Sequence, residues 1–564
     1  MPKKKLFIPD WTTKAPPPGS FRSIFKYGDP EGFKNPNDRL FEELKKAFNL
    51  TDDDFRKKET TGEEPVEFSK PPGLDKNFIQ EIKKIAGEKN ISTNEYDRLK
   101  YSTGQTVEEH MKLRRGKIDS ITDLVVHPEN KKVVQQIIQL CDKNKVPVYV
   151  YGGGSSVNLG LYPEKGGVTL VLSTHMNKII EVNETNQTAT VEAGISGPAF
   201  EEALNHAPEK FGCKKRFTCG HFPQSFEYSS VGGWIITLGS GQQSSYYGDA
   251  GDLVLSLETV TPSGTIKTLD FPATATGPKV SDIIKGSEGA FGVVVEITWK
   301  IFKHMPENRK YFGFIFKDWK SAVDASREIS QGEFGMPSVF RISDPEETHH
   351  GLKLYGIEGT IFDRLMAWRG YKPQERCLFI GTSDGAASFT KNVKKQIKKI
   401  CRNHGGMYLT AFPAKKWEPG RYRDPYLKES LMDYGILIDT LETAVKWDNF
   451  FKVHSKVRKF IKSRPQTICL AHASHFYPQG TNLYFIFLIK ENDVEAYLNF
   501  QKGVIQKIAD SGGSLSHHHG VGRMIAPWME QHLGKEQMNV LKALKKHFDP
   551  DNIMNPGNML TKAD

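Results

Sequence analysis

Cysteine is scarce in this sequence, with six residues in 564 and no Cys-x-x-Cys pair. Cys141, Cys213, Cys219, Cys377, Cys401 and Cys469 are too sparse for a disulfide scaffold and lack zinc spacing, which fits a reducing compartment. Long apolar runs are missing as well. No stretch approaches the roughly 18–20 uninterrupted apolar residues of a membrane span. The basic start Met1-Pro2-Lys3-Lys4-Lys5 leads into a very short apolar segment, less than the ~7–15 residues of a signal-peptide core. The end, Thr561-Lys562-Ala563-Asp564, carries no peroxisomal or retention signal. A cytoplasmic location is expected. Blocks of one charge sign are also absent. The 77 basic and 67 acidic residues are mixed along most of the chain, which reads as a solvated surface and not as a nucleic-acid footprint. The net charge of +10 suits anionic substrates or an anionic membrane surface. No internal repeat is found.

What the chain does have is length for two or more domains and glycine concentrated in a few places. The apolar run Val146-Pro147-Val148-Tyr149-Val150 reads as a buried strand. It ends in Tyr151-Gly152-Gly153-Gly154-Ser155-Ser156. Glycine lets bare amides approach a ligand, and successive amides in a turn form a nest for phosphate. A helix is predicted before this strand, from Asn130 to Lys143. Short strands are predicted after it, at Val168–Leu172, Lys178–Val182 and Ala189–Glu192. A Rossmann site would read GxGxxG, open a helix and lead to a parallel strand. Position 157 is Val, so the loop is assigned to an α+β domain with its own phosphate turn. Two more small-residue segments follow, Ser229-Ser230-Val231-Gly232-Gly233 and Gly286-Ser287-Glu288-Gly289. They would let a flat ligand lie against backbone.

The pattern changes after His304. Strands and helices with long insertions suggest a second α+β domain lying over the first. Residues 413–425 read as a loop rich in Lys, Pro and Arg. Residues 1–116 form a helical and linker region with no assigned function, including a helix over Asn37–Phe48. The expected divisions are 1–116, 117–303, 304–510 and 511–564. Several residues in the second half could carry chemistry. Tyr484 lies in the apolar strand Leu483–Ile489, where a buried phenol needs a partner. Arg341 is a charge in another apolar strand and suits bidentate phosphate binding. Lys428 starts a helix. His517-His518-His519 is a run whose side chains would alternate in extended chain. With no Asp, Glu or Cys at ligand spacing beside it, no metal is expected. His221 precedes a Phe-Pro pair in a glycine-rich passage.

The Gly152–Ser156 loop, the Gly220-His221-x-Pro223 passage with Ser229-x-Val231-Gly232-Gly233-Trp234, and Gly286-Ser287-Glu288-Gly289 resemble the FAD-binding domain of the vanillyl-alcohol oxidase superfamily. So does the tail Asp549-Pro550-Asp551-Asn552-Ile553-Met554-Asn555-Pro556-Gly557. Over residues 117–560 the chain is more narrowly similar to the alkyldihydroxyacetonephosphate synthases. The residues that carry this are Gly513–Gly522, Glu442-Thr443-Ala444 with Trp447-Asp448, and Gly480-x-x-Leu483-Tyr484-Phe485.

The resemblance implies an α+β fold, with a two-subdomain FAD-binding domain of the vanillyl-alcohol oxidase (PCMH) type and an α+β cap. It implies FAD, held by Val150, Tyr151, Gly152, Gly153, Gly154, Ser155 and Ser156. Gln224, Ser225, Ser229, Ser230, Gly233, Thr237 and Ser240 would add to that bed, as would Glu288, Gly289, Gly292, Val293 and Val294. That family converts acyl-dihydroxyacetone phosphate and a fatty alcohol to alkyl-dihydroxyacetone phosphate, with no net redox change, using oxidised FAD as a covalent scaffold through N5. By resemblance Tyr484 is the acid/base and His517, His518 and His519 line the site. His221 lies near the flavin, and Arg341 and Lys428 meet substrate. The family's Gly-His-Glu-Pro-Asp reads Gly220-His221-Phe222-Pro223-Gln224 here. Lys428 replaces an Arg and Leu238 another Arg, which bears on substrate identity. A FAD-dependent 2-hydroxyacid dehydrogenase or oxidase and a non-catalytic flavin protein remain as alternatives. The expected partner is a lipid or hydroxyacid substrate and not a nucleic acid. A lipid substrate implies peripheral membrane contact, and a homodimer is compatible.

Overall fold

The computed structural model describes residues 13–56 and 60–560; the two chain ends read above for targeting signals lie outside them. Three sheets organise the chain. In the first, β1 (Ile91–Ser92), β2 (Leu124–Val126), β3 (Val148–Tyr151) and β4 (Val168–Val171) run in the order β1-β2-β4-β3. β2 and β3 both pair parallel to β4, and the helix Lys131–Asn144 makes the crossover between them. Its Val134, Ile137, Ile138 and Cys141 are buried at helical spacing. The strand expected at Val168–Leu172 does follow the glycine loop, and it runs parallel to β3. β4 is that strand, but it is reached by a helix-free crossing, so the phosphate turn still opens no helix.

The second sheet is antiparallel. β5 (Ile179–Asn183), β6 (Thr188–Glu192), β7 (Val254–Thr261), β8 (Gly264–Lys267) and β9 (Val293–Lys300) run β5-β6-β9-β7-β8. The third is a seven-stranded antiparallel sheet in the second half. Its strands are β10 (Lys310–Phe316), β11 (Val339–Ser343), β12 (Cys377–Ser383), β13 (Met407–Tyr408), β14 (Ile436–Lys446), β15 (Thr467–Tyr477) and β16 (Gly480–Lys490). Their order is β13-β10-β12-β11-β15-β16-β14. The helices Phe450–Ser463 and Val494–Ser511 pack on one face of β14, β15 and β16. Residues 413–425 are not a plain loop. Pro413 stands in the first turn of the helix Phe412–Trp417, where its missing N–H costs nothing.

The N-terminal region folds onto this body. Phe41, Leu44 and Phe48 of the helix Asp38–Phe48 share a core with Leu431, Ile436, Ile468 and Leu488. Arg22 and Arg114 converge on buried carboxylates of the helix Tyr426–Met432 and its end. Arg22 Nε donates to Glu429 at 2.7 Å, and Arg114 Nη1 to Asp433 at 2.6 Å. The charges are paired and hydrogen-bonded, the condition under which burial is tolerated. The tail returns to the glycine loop. Val148 N donates to Ile553 O at 2.8 Å, and Asn555 N to Val148 O at 2.9 Å.

Candidate functional site

The glycine loop offers unspent donors. The amides of residues 153–157 donate to no protein group among the described residues. Gly154 sits at φ +70°, and a Cβ on Gly153 would lie 2.0 Å from Tyr228 O. The loop therefore packs backbone to backbone against the Tyr228–Ser230 turn, which only glycine allows. Ser230 caps the helix Val231–Ile236 through Gly233 N, and Trp234 Nε1 donates to Ser229 Oγ at 2.7 Å. Ser225 accepts within the preceding turn. Thr237 Oγ1 donates to Gly233 O at 2.9 Å. Gly289 takes φ +77°, and a Cβ on Gly292 would meet Val260 O at 2.5 Å. Val293 and Val294 open β9, buried. Val150 and Tyr151 end β3 just before the glycines. These elements form a concave bed whose free amides suit an anion.

Two of the residues expected there are occupied otherwise. Gln224 is exposed and donates to Arg421 O at 2.8 Å. Glu288 is buried and accepts from the amides of Val521 and Gly522, the second at 2.7 Å. Asn158 Nδ2 reaches His519 O at 2.9 Å. Thus Asn158 ties the glycine loop to the histidine run 361 residues away, and Glu288 ties the Gly286–Gly289 segment to the residues just after that run.

The histidine run meets a polar rung of the third sheet. Register places Glu442 opposite Tyr484, and Tyr484 opposite His472. Arg341 lies two residues along, opposite Ser474, and so on the same face. Opposed residues share a face, so four polar side chains project from one side. Glu442 is buried and gathers the run. Its carboxylate accepts from the amides of His517 at 2.7 Å, His518 at 3.0 Å and His519 at 3.0 Å. Ser516 Oγ donates at 2.7 Å and Asn482 Nδ2 at 3.0 Å. Burial opposes its ionisation, but the three imidazoles and the amides outweigh this and hold it well below the usual carboxylate range. Bending three amides onto one carboxylate removes the alternation of extended chain. The three rings therefore cluster, at 5.2 Å between His517 and His518 and 4.8 Å between His518 and His519, against expectation.

Tyr484 sits at the centre. Its hydroxyl is 3.2 Å from His519 Nε2. Its ring stacks on His472 at 4.9 Å and faces His518 at 6.0 Å. Burial raises the phenol above its ordinary value and lowers His519 and His518 below theirs. At neutral pH this pairs a protonated phenol with an uncharged imidazole, the donor being set by the imidazole tautomer. Behind it, Arg341 pairs with Glu347 and lies 3.2 Å from His472 Nδ1. Glu347 is lowered to about 2; burial works against this, and Arg341 overrides it.

A second chain reaches the run from the cofactor side. Ser240 donates to Asp249, Tyr477 OH donates to Asp249 at 2.7 Å, and His517 Nε2 is 2.8 Å from Tyr477 OH. The proton order this network assigns puts hydrogen on His517 Nε2. His518 Nδ1 then donates to His517 Nδ1 at 3.0 Å. His475, His517 and His518 each offer a ring nitrogen, all within 4.8 Å of one another, a spacing that could hold a metal ion. Lys428 is not a solvated side chain. Its Nζ donates to Gln105 O at 2.6 Å, and burial lowers it to about 8. Asp439 acts on Lys428, Tyr484 and His519 together.

His221 stands apart, fully buried against Trp234 at 4.8 Å and Trp299 at 5.9 Å. Neither ring nitrogen finds a protein partner among the described residues. Burial lowers it to about 4. The unfolded chain therefore binds the proton first, and stability falls as pH drops from about 6.5 toward 4. Between pH 7.5 and 5 this group should account for about 2 kcal/mol of lost stability. Urea unfolding of His221→Phe should show a smaller fall over that range by that amount; an equal fall would mean His221 is not neutral in the fold.

Comparison with known proteins decides what binds in the bed. A family model described as "FAD binding domain" matches residues 122–270, and one described as "FAD linked oxidases, C-terminal domain" matches 305–559. An alkyldihydroxyacetonephosphate synthase of Dictyostelium discoideum is 31% identical, over 87% of this chain and 82% of that protein. The chain belongs to the alkyldihydroxyacetonephosphate synthase family. A solved structure of such a synthase superposes with TM-score 0.74 at 28% identity, covering 87% of each chain. The p-cresol methylhydroxylase structure, at 17% identity and TM-score 0.66, shares the fold over 87% of this chain and 98% of that one. The architecture is thus the vanillyl-alcohol oxidase type, and the protein is an FAD-dependent enzyme of the synthase family. The residues present fit that cofactor. Five free amides suit a pyrophosphate, and the orphaned, buried His221 nitrogens suit a polar ring system. Asp249, Glu347, His472, His475 and Tyr477 were not singled out from the sequence, and Glu442 entered only as part of the motif Glu442-Thr443-Ala444, with no site role. For Glu442, His472, His475 and Tyr477 the available signal was a polar residue inside a largely buried strand; Glu347 lies in a helix and Asp249 caps one.

Proposed function

We propose that the protein exchanges the acyl group of acyl-dihydroxyacetone phosphate for a fatty alcohol. The bond from C1 to the ester oxygen breaks, a bond from C1 to the alcohol oxygen forms, and the carboxylic acid leaves. The observation that carries this reading is the contact between Tyr484 and His519 at 3.2 Å. Bound FAD supplies the electron-accepting ring that acts on the substrate carbon. This chain's residues move protons and hold charge. Tyr484, protonated at rest, can pass its proton to uncharged His519 and so take one from substrate C1. The same phenol can return it. Arg341, held by Glu347, turns a guanidinium toward the polar face and suits the substrate phosphate. Lys428 adds a second positive charge in the same field. The relatives named alkyldihydroxyacetonephosphate synthase support this assignment.

Anaerobic spectroscopy with product analysis tests it. The yellow protein should stay oxidised through turnover and place a labelled fatty alcohol in alkyl-dihydroxyacetone phosphate. Bleaching by D-lactate or glycolate would mark a hydroxyacid dehydrogenase instead.

A further inference from the structure

A cavity of about 250 Å³ lies where the two halves of the chain meet. Phe222 and Phe226 reach it from the passage that follows His221, residues 303–306 from the crossing between the halves, and Asp384, Arg421 and Tyr422 from the second half. No residue assigned to the cofactor bed, and none gathered around Tyr484, lines it. It is smaller than the ~300–1,000 Å³ of drug-sized sites, so its occupant is small. The wall sets apolar rings beside unmet polar atoms. Phe226 stacks on Tyr422 at 5.4 Å, and the Arg421 guanidinium lies over Phe222 at 5.1 Å and over Tyr422 at 4.7 Å. Arg421 pairs with no carboxylate among the described residues, and its Nη1 is buried without a partner. Gln243 is 1% exposed, and its Nε2 likewise meets no protein acceptor among the described residues. Asp384 is 5% exposed; it is paired with Arg309 through Oδ1, while Oδ2 accepts from no described residue. Buried polar groups left unmet are costly and rare in native folds. Water would meet these atoms but not the rings. The charge narrows the choice further. Arg309 neutralises Asp384, and burial pushes Glu201 toward its neutral form, which leaves Arg421 uncompensated. Two carboxyl groups in the wall oppose a dianion such as phosphate, whereas a monoanion is accommodated.

We propose that this cavity is a second ligand site, separate from the reacting groups, for a small aromatic hydroxy acid. The carboxylate of the ligand pairs with the Arg421 guanidinium and accepts from Gln243 Nε2. Its ring packs on Phe222, Phe226 and Tyr422. Its hydroxyl donates to Asp384 Oδ2. The ligand thereby joins residues of both halves, and its binding adds to the stability of the folded chain. The site adjoins the cofactor bed without entering it. Phe226 stacks on Trp234 at 6.2 Å, and Trp234 donates to Ser229 of the bed. The inference does not rest on the reaction assigned above.

The experiment is calorimetric titration of the full-length, flavin-loaded protein with para-hydroxybenzoate. Wild type should bind one equivalent, with a raised thermal midpoint and an unmoved flavin spectrum. Benzoate, which lacks the hydroxyl, should bind about three- to tenfold more weakly. Inorganic phosphate and para-hydroxybenzyl alcohol should bind at least ~tenfold more weakly. Arg421→Gln should weaken para-hydroxybenzoate by at least ~tenfold, and Gln243→Met should weaken it as well, with flavin content and the unliganded thermal midpoint kept. Should Gln243→Met fail to fold, Arg421→Gln decides alone, since its side chain is only half-buried. Arg341→Gln should bind as wild type does. Absence of binding, or equal affinity in Arg421→Gln, overturns the proposal. Phosphate or the alcohol binding as tightly as the acid overturns the ligand class. Binding that shifts the flavin spectrum and is lost in Arg341→Gln places the ligand beside Tyr484 and overturns the second site, while leaving the assigned reaction untouched.

Discussion

Glu442→Gln should cut turnover by about 100-fold or more while the protein stays yellow. The substitution keeps volume but replaces one acceptor oxygen with an NH2 group. That group would face amides of His517, His518 or His519, which now donate to the carboxylate at 2.7–3.0 Å. Breaking such a buried charged cluster costs about 3–5 kcal/mol, and 2.7 kcal/mol of lost positioning already corresponds to about 100-fold in rate. The loss should fall on kcat more than on KM, because Glu442 touches the run's backbone and reaches substrate only through the imidazoles. A pH profile separates this from general damage. The carboxylate raises His518 and His519 against the burial that lowers them. Removing the negative charge lets both fall further, so the acid limb of activity should move to lower pH. An unmoved limb with unchanged kcat would mean that other contacts hold the run.

Glu442 also shows what is hard to see in a sequence. The three histidines are conspicuous as residue types, but the force that gathers them acts on their amides, which every residue has. Nothing in His517-His518-His519 announces a bend, and extended chain was the natural expectation. The same holds for His472. It meets Tyr484 and Arg341 because β11, β15 and β16 are neighbours, and strand order is a long-range outcome with no local signature. β14 and β15 were hard to assign for a related reason. Both are largely buried, so β15 reads Thr-Ile-Cys-Leu-Ala-His-Ala-Ser-His-Phe-Tyr with no clean polar alternation.

The glycine loop was legible because its chemistry is local. Consecutive small residues after an apolar strand have few uses, and the free amides at 153–157 are the expected one. The loop's tie to the reaction side was not legible. Asn158 and Glu288 bind the histidine run's backbone and the start of the next helix, and Asn555 Nδ2 donates to Gly160 O at 2.9 Å and Glu288 O at 2.8 Å. Glycine at 522 is required for that junction, since a Cβ there would lie 1.9 Å from Asn158 O. The cofactor bed and the reacting groups are therefore one rigid unit built from both ends of the chain, and a displacement of either would reach the other.

Tyr484→Phe should lower kcat by about 10²–10⁴-fold, the usual range for a positioned acid/base, with flavin absorbance and thermal midpoint kept. The substitution divides the two roles a tyrosine can have here. The ring's stacking on His472 at 4.9 Å and its approach to His518 at 6.0 Å survive in phenylalanine. Only the hydroxyl facing His519 is lost, and His519 Nε2 is left facing a carbon. A packing role would leave turnover near wild type. The pH dependence follows from the same pair. Burial keeps the phenol protonated through neutral pH and His519 uncharged. Activity should hold through neutral pH and fall only as His519 takes a proton, below the ordinary imidazole value of about 6.5. His519→Gln should remove that acid limb, because glutamine cannot titrate, and should leave a slower, pH-flat rate. An acid limb that persists in His519→Gln would assign the proton acceptor to another group, and His472 at 4.9 Å and His518 at 6.0 Å are the imidazoles stacked on the same phenol.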